Sequence, residues 1–162
     1  MRAEMSDPRG ECNELRGTDL IRVTGRVRKP LVLCREEISK MEAEEMKDLL
    51  IICGSGTPKG RIASCRGVLL ESIIRKADVI KDEHNDTKRM FIVVSAGDGH
   101  KVVFSWQEIF NSPIGGGVMI LIEKNGESEC REDGRLDLIS TEDYFTGSRY
   151  VKGLETIELM LA

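Results

Sequence analysis

The chain has 162 residues, 40% hydrophobic and 32% charged, with 4 Pro and 16 scattered Gly; this allows one domain with its own core and excludes collagen-like, low-complexity and wholly disordered classes. Lys and Arg number 24 against 28 Asp and Glu, for a net charge of −4, and aromatic residues make up 4%; without a basic, base-stacking surface, nucleic-acid binding is not expected. The longest apolar runs, Leu49 to Cys53 and Val118 to Ile122, fall far short of the roughly 20 residues that cross a bilayer, so no membrane role is expected either.

Residues 1–17, with Asp7-Pro8-Arg9-Gly10 and few apolar positions, read as a flexible arm, and 18–162 as the domain. Leu20 to Val27 alternates apolar and polar residues in its later part, the period of a half-buried strand, until Lys29-Pro30 ends it. Glu36 to Lys47 carries Ile38 and Met41 at helical spacing and predicts a short amphipathic helix. Leu49 to Cys53 predicts a short, fully buried strand that Gly54-Ser55-Gly56 stops. A second helix is expected to open at Gly67-Val68, with Leu70, Ile73, Ile74 and Ala77 on one face. Met90 to Ser95 and Lys101 to Phe104 read as a hairpin around Asp98-Gly99, where glycine supplies positive φ without steric cost. A helix near Trp106 to Phe110, a strand at Val118 to Ile122, an Asn125-Gly126 turn and strands near Leu136 to Ile139 and Thr156 to Met160 complete the chain. The mixture lacks a regular βαβ repeat and predicts an α+β fold, with a mixed, mainly antiparallel β core and a few short helices.

Five cysteines, Cys12, Cys34, Cys53, Cys65 and Cys130, form no Cys-x-x-Cys pair. The polar N-terminus has no apolar leader, so a cytoplasmic, reducing setting is expected and a disulfide framework is not. Cys53 sits where a strand meets a glycine-rich loop; it is either a small buried hydrophobe or a thiolate available as nucleophile or soft-metal ligand. Cys65 precedes the expected helix, whose dipole would lower its pKa, although burial is the plainer reading. Were Cys53 and Cys65 a redox pair, their Cα atoms would lie within about 7 Å. Gly54 to Gly60 lacks both nucleotide-loop spacings, and Pro58 removes a donor. His84 reads as an exposed loop residue and His100 as facing a pocket, but no Ser/His/Asp spacing supports hydrolysis. Gly147-Ser148-Arg149-Tyr150-Val151-Lys152-Gly153 is either an anion cradle or a solvated turn.

Taken in order, these segments resemble the molybdopterin-binding domain of the sulfite oxidase family, from Leu20 to the C-terminus. Val23-Thr24-Gly25-Arg26-Val27 with Lys29-Pro30 is similar to the family's opening strand, and Ile51-Ile52-Cys53 to the strand ending in its metal-binding cysteine. Gly67-Val68-Leu69-Leu70, Ser95 to His100, Asn125-Gly126-Glu127 and Gly147 to Leu154 resemble four further family motifs. The resemblance implies a molybdenum cofactor with Cys53 as its thiolate ligand and catalytic residue. Gly147, Ser148, Arg149, Lys152 and His100 would hold the pterin and its phosphate. The implied activity is two-electron oxo transfer, with a small-molecule substrate and an electron-transfer partner. The chain departs from the family pattern where Asp137 replaces an expected arginine, Gly153 a tryptophan and His100 a tyrosine. The alternative is therefore a degenerate, non-catalytic binding or partner module on the same fold.

Overall fold

The computed structural model describes residues 20–128 and 134–162; the expected arm, Cys12 and Cys130 lie outside them. Two five-stranded sheets carry the fold. Sheet one has the order β2 (Leu31–Leu33), β1 (Ile21–Gly25), β10 (Leu154–Leu161), β5 (Met90–Ala96) and β6 (Lys101–Ser105). Only β1 and β10 pair in parallel, in the register Val23 to Ile157; the other pairs in this sheet are antiparallel. Sheet two runs β3 (Glu44–Ile52), β4 (Pro58–Leu69), β7 (Val118–Lys124) and β8 (Glu127–Ser128), with β9 (Leu138–Ser140) also on β7. Three short helices complete it: α1 (Arg35–Ser39), α2 (Leu70–Lys76) and α3 (Trp106–Phe110). The mixed, mainly antiparallel α+β fold is the one the sequence predicts.

Burial explains why these residues form these elements. In β5 every second residue is buried, placing Met90, Ile92, Val94 and Ala96 on the core face. In β7, Val118 to Ile122 are all buried because both faces are covered. Val118, Ile120 and Ile122 join the large core with sheet one and α2, while Met119 and Leu121 join a smaller cluster with Leu49, Ile62 and Ile139. The α2 face is as expected: Leu70, Ile73, Ile74 and Ala77 are fully buried. Ser105 and Glu108 form a capping box that starts α3. At Asn125-Gly126 both residues have positive φ, 54° and 81°, and the Asn125 Oδ1 accepts from the Ala63 N–H at 3.0 Å.

Three expectations are corrected. The helix expected over Glu36 to Lys47 stops at Ser39, and from Glu44 the chain is strand, because cross-strand pairing of Glu44 to Ile52 with β4 overrides the helical spacing. The Leu49 to Cys53 run is not fully buried: β3 is the edge of its sheet, and of these residues only Leu49 is buried. Gly67-Val68 belongs to β4, and the helix begins at Leu70, once the ladder to β7 ends at Leu69.

Candidate functional site

The β3–β4 hairpin presents Cys53. At its tip the Gly56 N–H donates to the Cys53 carbonyl at 2.8 Å, and the Cys53 N–H to the Thr57 carbonyl at 3.0 Å. Gly56 has φ +87°, which closes the turn. The Cys53 Sγ lies 2.7 Å from the Ser55 Oγ, which lies 3.2 Å from the Thr57 Oγ1. The Ser55 hydroxyl, then the Ser55 N–H, pull the Cys53 pKa down to about 7. Among the described residues, Cys65 is the other free thiol. It is buried in the middle of β4, and desolvation raises its pKa, so no helix dipole acts on it. Pro58, which faces Ile52, lies seven residues before Cys65 on β4, roughly 23 Å at about 3.3 Å per residue; a Cys53–Cys65 pair is ruled out.

Cys53 opens onto a cleft of about 670 Å³. Of the residues the sequence pointed to, Cys53, Gly147, His100 and Lys152 line it. Among the described residues the cleft also gathers Lys59, Arg61 and Lys124 against a single carboxylate, that of Asp98. Lys59 and Arg61 alternate along β4 and so share a face, a pattern hidden while Gly54 to Gly60 was read as loop. Arg61 pairs with Asp48. Gly147 is close-packed: its N–H donates to the Ile52 carbonyl at 2.6 Å, and a Cβ there would fall 2.8 Å from that oxygen and 3.2 Å from the Cys53 Cα.

Ser148 and Arg149 do not line the cleft. The Ser148 Oγ would contact a Cβ at Gly54 at 3.1 Å, beside the hairpin tip. Arg149 forks onto Asp143 at 2.8 and 2.7 Å, meets the Glu108 Oε2 at 2.8 Å, donates to the Val103 carbonyl at 3.1 Å and stacks 4.2 Å over Phe104. Desolvation opposes its charge, but Asp143 and Glu108 more than offset this and raise its pKa. Its guanidinium is engaged within the protein, contrary to the expectation that it reaches a phosphate. Asp137 is equally committed: it is buried, its Oδ2 accepting from the Tyr150 hydroxyl at 2.8 Å and its Oδ1 from the Gly153 N–H at 3.0 Å. Asp137 thus faces protein donors and does not line the cleft. Cys34, expected to be an incidental thiol, is disulfide-bonded.

Among the described residues, no group of three or more His, Cys, Asp and Glu side chains is arranged to hold a metal ion, and no helix is long and apolar enough to cross a membrane. Compared with known proteins, the chain matches no family model and no curated protein. Its structure is similar to the crystal structure of the sulfane dehydrogenase SoxCD from Paracoccus pantotrophus, with a TM-score of 0.65 at 16% sequence identity, over 86% of this chain and 37% of that one. The chain thus spans little more than a third of the neighbour's length, and at this identity what the two share is the fold.

Proposed function

We propose that the cleft binds a molybdopterin cofactor whose metal takes the Cys53 thiolate as its protein ligand, and that the protein is an oxidoreductase. The donor chemistry fits. One soft thiolate, with no companion ligands among the described residues, suits a metal that arrives already held by its own sulfur donors. A cleft of about 670 Å³ is of ordinary size for a small-molecule site, and its cations suit a phosphate. The fold-level likeness to an enzyme titled a sulfane dehydrogenase supports the same class of chemistry. When bound, the group would supply two-electron oxo transfer to a small-molecule substrate, with a separate electron-transfer partner completing the cycle.

In this reading the chain's own residues bind, orient and neutralise. Ser55 favours the Cys53 thiolate, lowering the thiol's pKa to about 7. Lys59, Lys124 and Lys152 offer point charges to anionic groups, and Gly147 lets backbone approach where a side chain would collide. Ile51, Ile62 and Tyr150 supply the apolar wall, and the His100 imidazole adds a hydrogen-bonding group to the cleft. The observation that carries the proposal is the opening of Cys53, held by Ser55, into this cation-lined cleft.

The test is metal analysis, with assay of the fluorescent oxidised pterin, on protein expressed in a molybdenum-replete, cofactor-competent host. Both should be present in near-equal amounts, with Cys53→Ser keeping pterin while losing most of the metal. Absence of both from the wild-type protein would overturn the proposal. The engagement of Arg149 by Asp143 and Glu108 favours a second reading, a non-catalytic binding module. That reading predicts pterin or phosphate in the cleft without metal.

A further inference from the structure

The segment from Thr141 to Tyr150 bridges the two sheets. On sheet two, the Thr146 Oγ1 accepts from the Ile52 N–H at 3.0 Å and donates to the Leu50 carbonyl at 2.7 Å, beside the Gly147 bond to Ile52. These bonds grip the end of β3, one residue before Cys53. On the side of sheet one, Arg149 ties the same segment to the Val103 carbonyl and Phe104 ring of β6 and to Glu108 of α3. Its two hydrogen bonds to the Asp143 carboxylate close the segment on itself. The hairpin formed by β5 and β6 carries Asp98 and His100, which line the cleft together with Cys53.

We propose that Arg149 is a positioning residue: a strut that sets the distance between Cys53 on sheet two and the Asp98–His100 wall on sheet one, and not a ligand for an anion in the cleft. The proposal rests on the reading of Cys53 as a ligand for what it positions, but the strut itself is geometry. A fork with two carboxylates, a carbonyl and a ring face to satisfy holds one orientation, where a flexible cation would not. Asp143 and Glu108 belong to the same unit, although neither lines the cleft.

The test uses the full chain carrying Arg149→Lys, Asp143→Asn or Glu108→Gln. Amide hydrogen exchange is read at Ile52 and Gly147, with Ile92 in the core as control, and the molybdenum-to-pterin ratio is read on protein from the cofactor-competent host. All three variants should speed exchange at Ile52 and Gly147 by about tenfold or more, as loss of charge-assisted bonds implies. Ile92 should be unchanged, and the metal-to-pterin ratio should fall while pterin is retained. The strut is overturned if Asp143→Asn and Glu108→Gln leave exchange and the ratio unchanged while Arg149→Lys alone sheds pterin, the behaviour of a direct anion ligand. Should Arg149→Lys fail to fold, the two carboxamide variants decide by the same readouts. A wild-type protein without molybdenum or pterin would remove the cofactor reading, and the exchange pattern would still judge the strut.

Discussion

The Cys53 sulfur and the Ser55 hydroxyl sit 2.7 Å apart at the tip of a hairpin, two residues from one another in the chain. A hydroxyl so placed favours thiolate over thiol by donating to the charged form. In cofactor-free protein, alkylation of Cys53 by iodoacetamide should rise with a midpoint near pH 7. In Ser55→Ala the midpoint should move upward toward that of an ordinary cysteine, near 8.5 or so, whereas buried Cys65 should stay inert. Peptide mass spectrometry across a pH series checks both, and an unmoved midpoint in Ser55→Ala would show that the hydroxyl does not tune the thiol.

Gly147→Ala would force a methyl group against the Ile52 carbonyl and the Cys53 Cα, where backbone cannot yield as a side-chain tip can. We expect a loss of about 1–3 kcal/mol in urea unfolding, typical of overpacking. Gly116→Ala, where a Cβ would meet nothing within 4 Å, is the control and should lose far less.

Acid should destabilise the protein through two carboxylates. The Glu83 N–H, then that of Asp82 and the charges of Arg26 and Arg89, hold Asp86 below the usual carboxylate range despite its burial. Burial works against the ionised form of Glu108, yet bonds from Arg149 and Ser105 lower its pKa as well. Groups depressed in this way contribute stability that is complete above their unfolded pKa values, near 4, and is lost as pH falls through the folded ones. Melting temperature should therefore drop steeply below about pH 4 in the wild type, and less steeply from an already lower plateau in Asp86→Asn. Differential scanning calorimetry from about pH 2 to about pH 6, about two units either side of those values, measures the slopes.

Cys34 should resist maleimide in denaturant until a reductant is added, whereas Cys53 and Cys65 should label at once. Such bonds persist in oxidising compartments, so the redox state of Cys34 in intact cells tests the cytoplasmic setting expected from composition. Full labelling without reductant would show that the bond does not form.

Local patterns reported local structure well. The alternation in Met90 to Ala96 and the three-and-four spacing of Leu70, Ile73, Ile74 and Ala77 were legible because each face meets the core directly. Glu44 to Lys47 was not, because an edge strand with solvent on one side carries the charges of a helix surface, and its pairing with β4 is non-local. Of the residues lining the cleft, the sequence singled out Cys53, His100, Gly147 and Lys152 but not Lys59, Arg61 and Lys124. The part played by Arg149 was out of reach, since Val103, Phe104 and Glu108 lie more than forty residues away and no spacing rule joins them to it.

The parallel pairing of β1 with β10 and the antiparallel pairing of β10 with β5 put Leu154 to Leu161 in the middle of sheet one. On a ribosome, everything from β1 to β6 would emerge with that central slot empty, leaving the Ile21 and Ile92 faces without the strand that joins them. Sheet one is thus closed only once Leu154 to Leu161 has been made, after β1 to β9, and its non-local pairs form late.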